Sequence, residues 1–289
     1  MRAQIDKIDP AYYRRSKRID IKEETKMNAT QQESDEYYSS SMDVDEQAPN
    51  FISDVFFLAT LAMHLGPLTV VRDYKSLKDS MRHYRRQADE LEADAGEDAR
   101  LRQQVTAMRA RLDDLEAQQC ATEVQLHDDD YARRCVQFCT LEMAWLVRLV
   151  DPRHQHPHTQ VSLPLSEETP TAFRFLPEYL MEDLTSYLQH LSRHLPHVLA
   201  ESSMDELVTF MLVFLSTPYV HNPYLKGQFV EVRANLLTAY PQLTRSADHV
   251  QHVQPHARAS SGRNWRCTQL APARDPPPCA LPRARVHRD

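Results

Sequence analysis

Glycine is nearly absent. The chain holds four in 289 residues, where roughly 7% is ordinary. Folds that depend on glycine-rich turns and phosphate loops are therefore not expected. Neither G-x-G-x-x-G nor G-x-x-x-x-G-K-[ST] occurs, so the nucleotide-binding α/β folds lose their usual signature. None of the five cysteines lies in a C-x-x-C, which fits reduced intracellular thiols better than a disulfide framework. No apolar stretch stands near Met1, so no signal peptide is expected. Nor does any segment alternate at period two for long enough to make a strand.

What is present points to helices. Hydrophobic residues make up 42% and charged residues 26%, the balance of a soluble chain rich in amphipathic elements. The net charge of −7 is unevenly spread. Residues 1–240 carry 26 Lys and Arg against 38 Asp and Glu, a balance of −12, while residues 241–289 carry eight Arg and three Asp, a balance of +5. An acidic body argues against nucleic acid as the main partner.

Residues 1–50 are polar, and Gln31 to Gln47 is acidic and Ser-rich, which reads as a flexible linker. Phe51 to Leu65 is apolar nearly all round and is expected to be a buried helix. It is too short for the roughly 20 apolar residues a bilayer crossing needs, so no membrane partner is expected. Tyr74, Leu77, Met81, Tyr84, Ala88, Leu91 and Ala95 follow alternating steps of three and four. The rhythm restarts after Gly96 at Leu101, Val105, Met108, Leu112 and Leu115. The break at Asp94–Gly96 predicts an antiparallel hairpin or a stutter, packed within one domain rather than as a dimeric coiled coil. Further helices are predicted over Asp130–Val150, from Pro177 to a stop at Pro196, over Leu207–Leu215 behind a capping box at Ser203–Glu206, and from Asn222–Pro223 to about Tyr240. Residues 151–173, with four prolines, must be a loop. The fold class is all-α, an array of stacked helices over 51–240, with a disordered basic tail at 241–289.

Candidate chemistry is thin. Cys135 and Cys139, spaced i, i+4, could join one of His154, His156 and His158 on a tetrahedral zinc. Lying among Phe138, Leu141 and Trp145, they are expected instead to be small core hydrophobes. No context marks a nucleophilic cysteine. Asp128-Asp129-Asp130 is expected to cap a helix, and Glu182-Asp183 and Asp205-Glu206 to sit in first turns or on solvated faces. No catalytic, cofactor-binding or metal residue is assigned, and no cofactor is expected. Stacked helices offer surface, so the reading from the residues is an interaction scaffold.

Four stretches are more specific than composition: KIDPAYYRRSKRIDIKEETKMNATQQESDEYY (Lys7 to Tyr38), FISDVFFLATLAMHLG (Phe51 to Gly66), FLPEYLMEDLTSYLQHLSRHLPHVL (Phe175 to Leu199) and MDELVTFMLVFLSTPYVHNPYLKGQFVEV (Met204 to Val232). Together they resemble the core of the ubiquitin conjugation factor E-4 family, the U-box ubiquitin ligases that lengthen ubiquitin chains on already modified proteins. The resemblance implies an elongated superhelical, armadillo-like core. It also implies a C-terminal U-box that recruits a charged ubiquitin-conjugating enzyme, so that catalysis is by proximity. The partners it implies are that enzyme, ubiquitinated substrates, a AAA-type unfoldase and proteasome shuttle factors, in cytoplasm and nucleus. The match fades after Val232, and nothing like a U-box follows. Residues 245–289 read either as a disordered basic arm or as the product of a wrong frame or unspliced intron. Two functional readings stay open: the core scaffold of a chain-elongation ligase, and a non-catalytic scaffold or competitor in the same pathway.

Overall fold

The computed structural model describes residues 2–16, 18–40, 49–96, 98–202 and 204–239. The basic tail expected at 241–289 and the linker residues 41–48 lie outside them. The described residues are helical throughout, apart from loops and one isolated antiparallel bridge between Lys26 and Pro177.

The N-terminal segment, expected to be polar and partly disordered with a flexible linker at 31–47, packs into the protein where it is described. A 3-10 turn (Arg2–Lys7) and the short helix α1 (Tyr12–Arg15) bring Ile5, Ile8, Tyr12 and Tyr13 into the core. Met27 and Asn28 N–H groups then donate to the Leu176 and Arg174 carbonyls at 2.9 and 3.1 Å. Part of the acidic run is helix α2 (Gln31–Ser39), opened by a capping box in which Thr30 and Glu33 exchange side-chain and backbone hydrogen bonds. Its Tyr37 stacks on Phe175 at 4.0 Å and its Tyr38 hydroxyl donates to the Phe175 carbonyl. Composition undervalues these two aromatics, whose partner lies more than 130 residues away.

Helix α3 (Phe51–Leu65) is present as expected but is not buried all round. Phe56, Phe57 and Thr60 pack inward, while Phe51 and Leu65 stay 78% and 65% exposed. After Gly66 it is followed directly by α4 (Pro67–Ala95), and together they are long and apolar enough to cross a bilayer by length and composition. The length argument against a span therefore fails. What ties α3 to the rest of the protein is packing: Phe57 stacks on Tyr12 at 4.2 Å and meets the Trp145 ring edge-on at 5.4 Å, and Asp54 accepts from the Tyr12 hydroxyl. Gly66 fits the junction because a Cβ there would lie 2.8 Å from the Ala62 carbonyl oxygen.

Helices α4 and α5 (Ala99–Leu126) form the expected antiparallel hairpin. Tyr74 meets Glu123, Arg85 meets Glu116 and Glu92 meets Arg109, so one number falls as the other rises. Gly96 turns the chain at φ +42°, a backbone conformation that glycine takes without steric cost. The predicted seams close a small core of their own, Met81, Ala88, Leu112 and Leu115.

The main core is organised by two helices, α6 (Asp129–Val150) and α8 (Tyr179–His194). Helix α6 packs on α7 (Thr171–Arg174), α9 (Pro196–Ala200) and α10 (Met204–Ser216). Helix α8 packs on α3, α4, α9 and α11 (Pro223–Ala239). Both are buried on more than one side, which explains why Leu180, Leu184, Leu188 and Leu191 are matched by equally buried Met181 and Tyr187. Pro196 ends α8 as expected but also starts α9 at its first position.

Candidate functional site

The sequence candidates do not converge. Cys135 and Cys139 are buried on α6, and burial pushes both thiols above their ordinary range. The loop histidines turn to three separate partners. His154 Nδ1 lies 3.0 Å from the Arg148 carbonyl, His156 Nε2 lies 2.5 Å from Glu206, and His158 Nε2 lies 3.6 Å from Asp6. Among the described residues no three His, Cys, Asp or Glu are arranged to hold a metal ion. The Asp128–Asp130 run does cap α6: Asp128 accepts from the Tyr131 N–H at 2.7 Å, while Asp129 and Asp130 pair with Arg133 at the first turn. The His197 ring also reaches Asp129 at 3.0 Å.

Of the carboxylates expected in first turns or on solvated faces, Glu182, Asp205 and Glu206 do stand in first turns, but Glu206 and Asp183 are buried. Glu206 is 4% exposed and faces His156; Ser203, the other end of the predicted capping box, lies outside the described residues. Asp183 lies 2.7 Å from His64 Nδ1 and 3.5 Å from the Arg72 guanidinium. Burial outweighs both neighbours and lifts its carboxyl to about 6. Near it, burial first and the charge of Asp183 second push Glu142 well above the usual carboxylate range. The sequence held a signal for this. Asp183 stands three after Leu180 and four before Tyr187, and Glu142 stands three after Cys139 and four before Leu146, so each occupies a core stripe position. Through Asp183, His64 and Arg72 tie α3 and α4 to α8.

The arrangement that does face solvent lies between α4, α8 and the start of α11. A groove of about 390 Å³ is lined by Arg72, Lys75, Lys78 and Arg82 from α4, by His190, Arg193 and His194 from α8, and by Tyr224 from α11. Behind it, His127, His190 and His194 form a cluster with ring centroids 4.7–5.4 Å apart. Burial, then the charges of its neighbours, pushes His190 down to about 3 and His194 down to about 4, so both imidazoles are neutral at pH 7. Sequence reasoning missed this groove. His190 and His194 are spaced i, i+4, but His127 and the α4 cations come from other helices.

Fold and site together define a helical-array protein whose described residues present grooves and faces. The chain belongs to the ubiquitin elongating factor core family, whose family model matches residues 1–261, further along the chain than the resemblance traced from the residues alone. It is 34% identical over 80% of its length to the ubiquitin conjugation factor E4 of Schizosaccharomyces pombe. It is 26% identical over 79% of its length to the E4 ubiquitin-protein ligase UFD2 of Saccharomyces cerevisiae, and 30% identical over 63% to the probable ubiquitin conjugation factor E4 of Arabidopsis thaliana. The chain spans 23%, 26% and 17% of the lengths of these relatives respectively.

Proposed function

We propose that these residues are the core scaffold of a ubiquitin-chain elongation ligase, which assembles polyubiquitin on already ubiquitinated proteins for proteasomal degradation. The family match over residues 1–261 carries this reading. On it, the transfer chemistry belongs to a U-box outside the 289 residues, which recruits the charged conjugating enzyme. The scaffold then sets the distance between thioester and acceptor ubiquitin, an effect worth several orders of magnitude in effective concentration. Ubiquitinated substrates, a AAA-type unfoldase and shuttle factors in cytoplasm and nucleus are the partners that such a scaffold would meet.

The test is a chimera in which these residues replace the matching stretch of the fission yeast relative. It is incubated with activating enzyme, conjugating enzyme, ubiquitin and a ubiquitin-fused substrate. Chain extension by the chimera and none by the 289 residues alone is expected. A folded chimera that extends no chains overturns the scaffold reading, and vigorous extension by the 289 residues alone overturns the external U-box. Inhibition of the intact relative by excess chain, with an inactive chimera, is the result that favours a competitor.

A further inference from the structure

We propose that the groove between α4 and α8 is a docking site for a short acidic peptide held in extended conformation. Arg72, Lys75, Lys78 and Arg82 follow steps of three, three and four, so they share one face of α4. Arg193 closes the groove from α8.

The charges are not equally committed. Arg72 is held by Asp183, Arg82 by Asp79 and Arg193 by Glu231. Lys75 and Lys78 make no ion pair with any described residue: Lys78 rests 5.2 Å from the Tyr74 ring, and the two feel only the longer-range charges of Glu231 and Glu123, carboxylates already bonded to other partners. Five cations and two carboxylates, Asp79 and Glu182, line the groove, in a body whose residues 1–240 carry a balance of −12. The sign inversion is local. His190 and His194 are held neutral by burial first, with the charges of Lys78 and Arg193 adding to it. The neutral imidazoles and Tyr224 supply hydrogen-bonding and apolar wall without adding charge.

Length selects the ligand. From Arg72 to Arg82 the helix rises about 15 Å at about 1.5 Å per residue. That matches four or five residues of extended peptide at about 3.3 Å each. A nucleic acid carries its charge over a far longer line and would meet the acidic body on either side. A peptide with carboxylates on alternate residues places them on one side, toward the two uncommitted lysines.

The experiment uses the full 289-residue chain and a fluorescein-labelled nine-residue peptide with glutamates at alternate positions, read by anisotropy at low salt. A matched peptide with glutamine at those positions is the control. The glutamate peptide is expected to bind about tenfold tighter than the glutamine peptide, and Lys75→Glu/Lys78→Glu to lose that advantage. The neutral pair Lys75→Gln/Lys78→Gln should lose part of it, with an unchanged melting curve. Arg111→Glu/Arg134→Glu, an equal charge change away from the groove, should leave binding within about threefold of the parent. Equal binding of the two peptides overturns the proposal, as does undiminished binding by both lysine pairs. Displacement by millimolar inorganic phosphate at matched ionic strength would mean a phosphate site. Tighter binding of a single-stranded oligonucleotide of equal charge would mean a polyanion surface. Either result also overturns it.

Discussion

Acid should unfold this protein through one imidazole more than through any of its neighbours. His190 is 6% exposed, and its Nε2 has no hydrogen-bond partner among the described residues. Its folded pKa is about 3 against an ordinary value of 6.5. The folded value is depressed, so the unfolded chain takes up the proton first as pH falls. The stability is fully present at pH 7, begins to be lost below about 6.5, and is exhausted near 3. One pKa unit corresponds to about 1.4 kcal/mol, so at pH 5 this group alone removes about 2 kcal/mol, and below pH 3 about 5 kcal/mol. His194, half-buried and lining the groove, adds a smaller loss that solvent screens. Replacing His190 by phenylalanine removes the titration while keeping a ring against Tyr74, 5.8 Å away and edge-on in the parent. The cost of fitting the larger ring, about 1–3 kcal/mol, is the same at both pH values and cancels. Urea unfolding of both proteins at pH 7 and pH 5, followed by circular dichroism, measures the difference of differences. The parent should lose about 2 kcal/mol more between the two pH values than His190→Phe does. An equal loss in the two proteins would refute the reasoning, because the buried imidazole would then not be the group that resists protonation.

Other consequences of the packing are open to similar tests. Asp183 has the opposite sign: its folded pKa of about 6 lies above the ordinary 3.8, so its contribution is full below pH 4 and is lost as pH rises through 6. Asp183→Asn escapes that loss and should gain up to about 3 kcal/mol on the parent between pH 4 and pH 7 in urea titrations; a constant difference would rule this out. Phe57, fully buried between Tyr12 and Trp145, should cost about 3–5 kcal/mol when replaced by alanine, seen as a lower urea midpoint with unchanged slope. Thr30→Ala removes the cap of α2 and should weaken that helix by about 1 kcal/mol. Amide exchange over Gln31–Ser39 should then speed up several-fold while the α8 amides stay protected. No change at those residues would mean that contact with Phe175, not the cap, holds the helix.

Where the helices lie was legible in the sequence, because what starts and stops a helix is local. Gly96 needs no neighbour to break the α4–α5 seam, Asp128 caps α6 from its own first turn, and Pro196 stops α8 through its own ring. The a/d steps from Tyr74 to Leu115 and the break at Asp94–Gly96 were enough to predict a hairpin or a stutter, and the structure shows the hairpin, with a small core of its own. Only the tertiary structure decided which faces those helices bury. Composition made 31–47 a linker, but Phe175 supplies the surface on which Tyr37 and Tyr38 settle. The helix dipole put Asp183 and Glu206 in first turns or on solvated faces, but it could not show that His64, Arg72 and His156 arrive from distant segments to hold them in the interior. The α4–α8 groove belongs to no single stretch of chain: its lysines and its histidines stand more than 100 residues apart. Periodicity reports how a segment divides between inside and outside. It carries no information about which two insides meet, and a charge or an imidazole takes its pKa from that meeting.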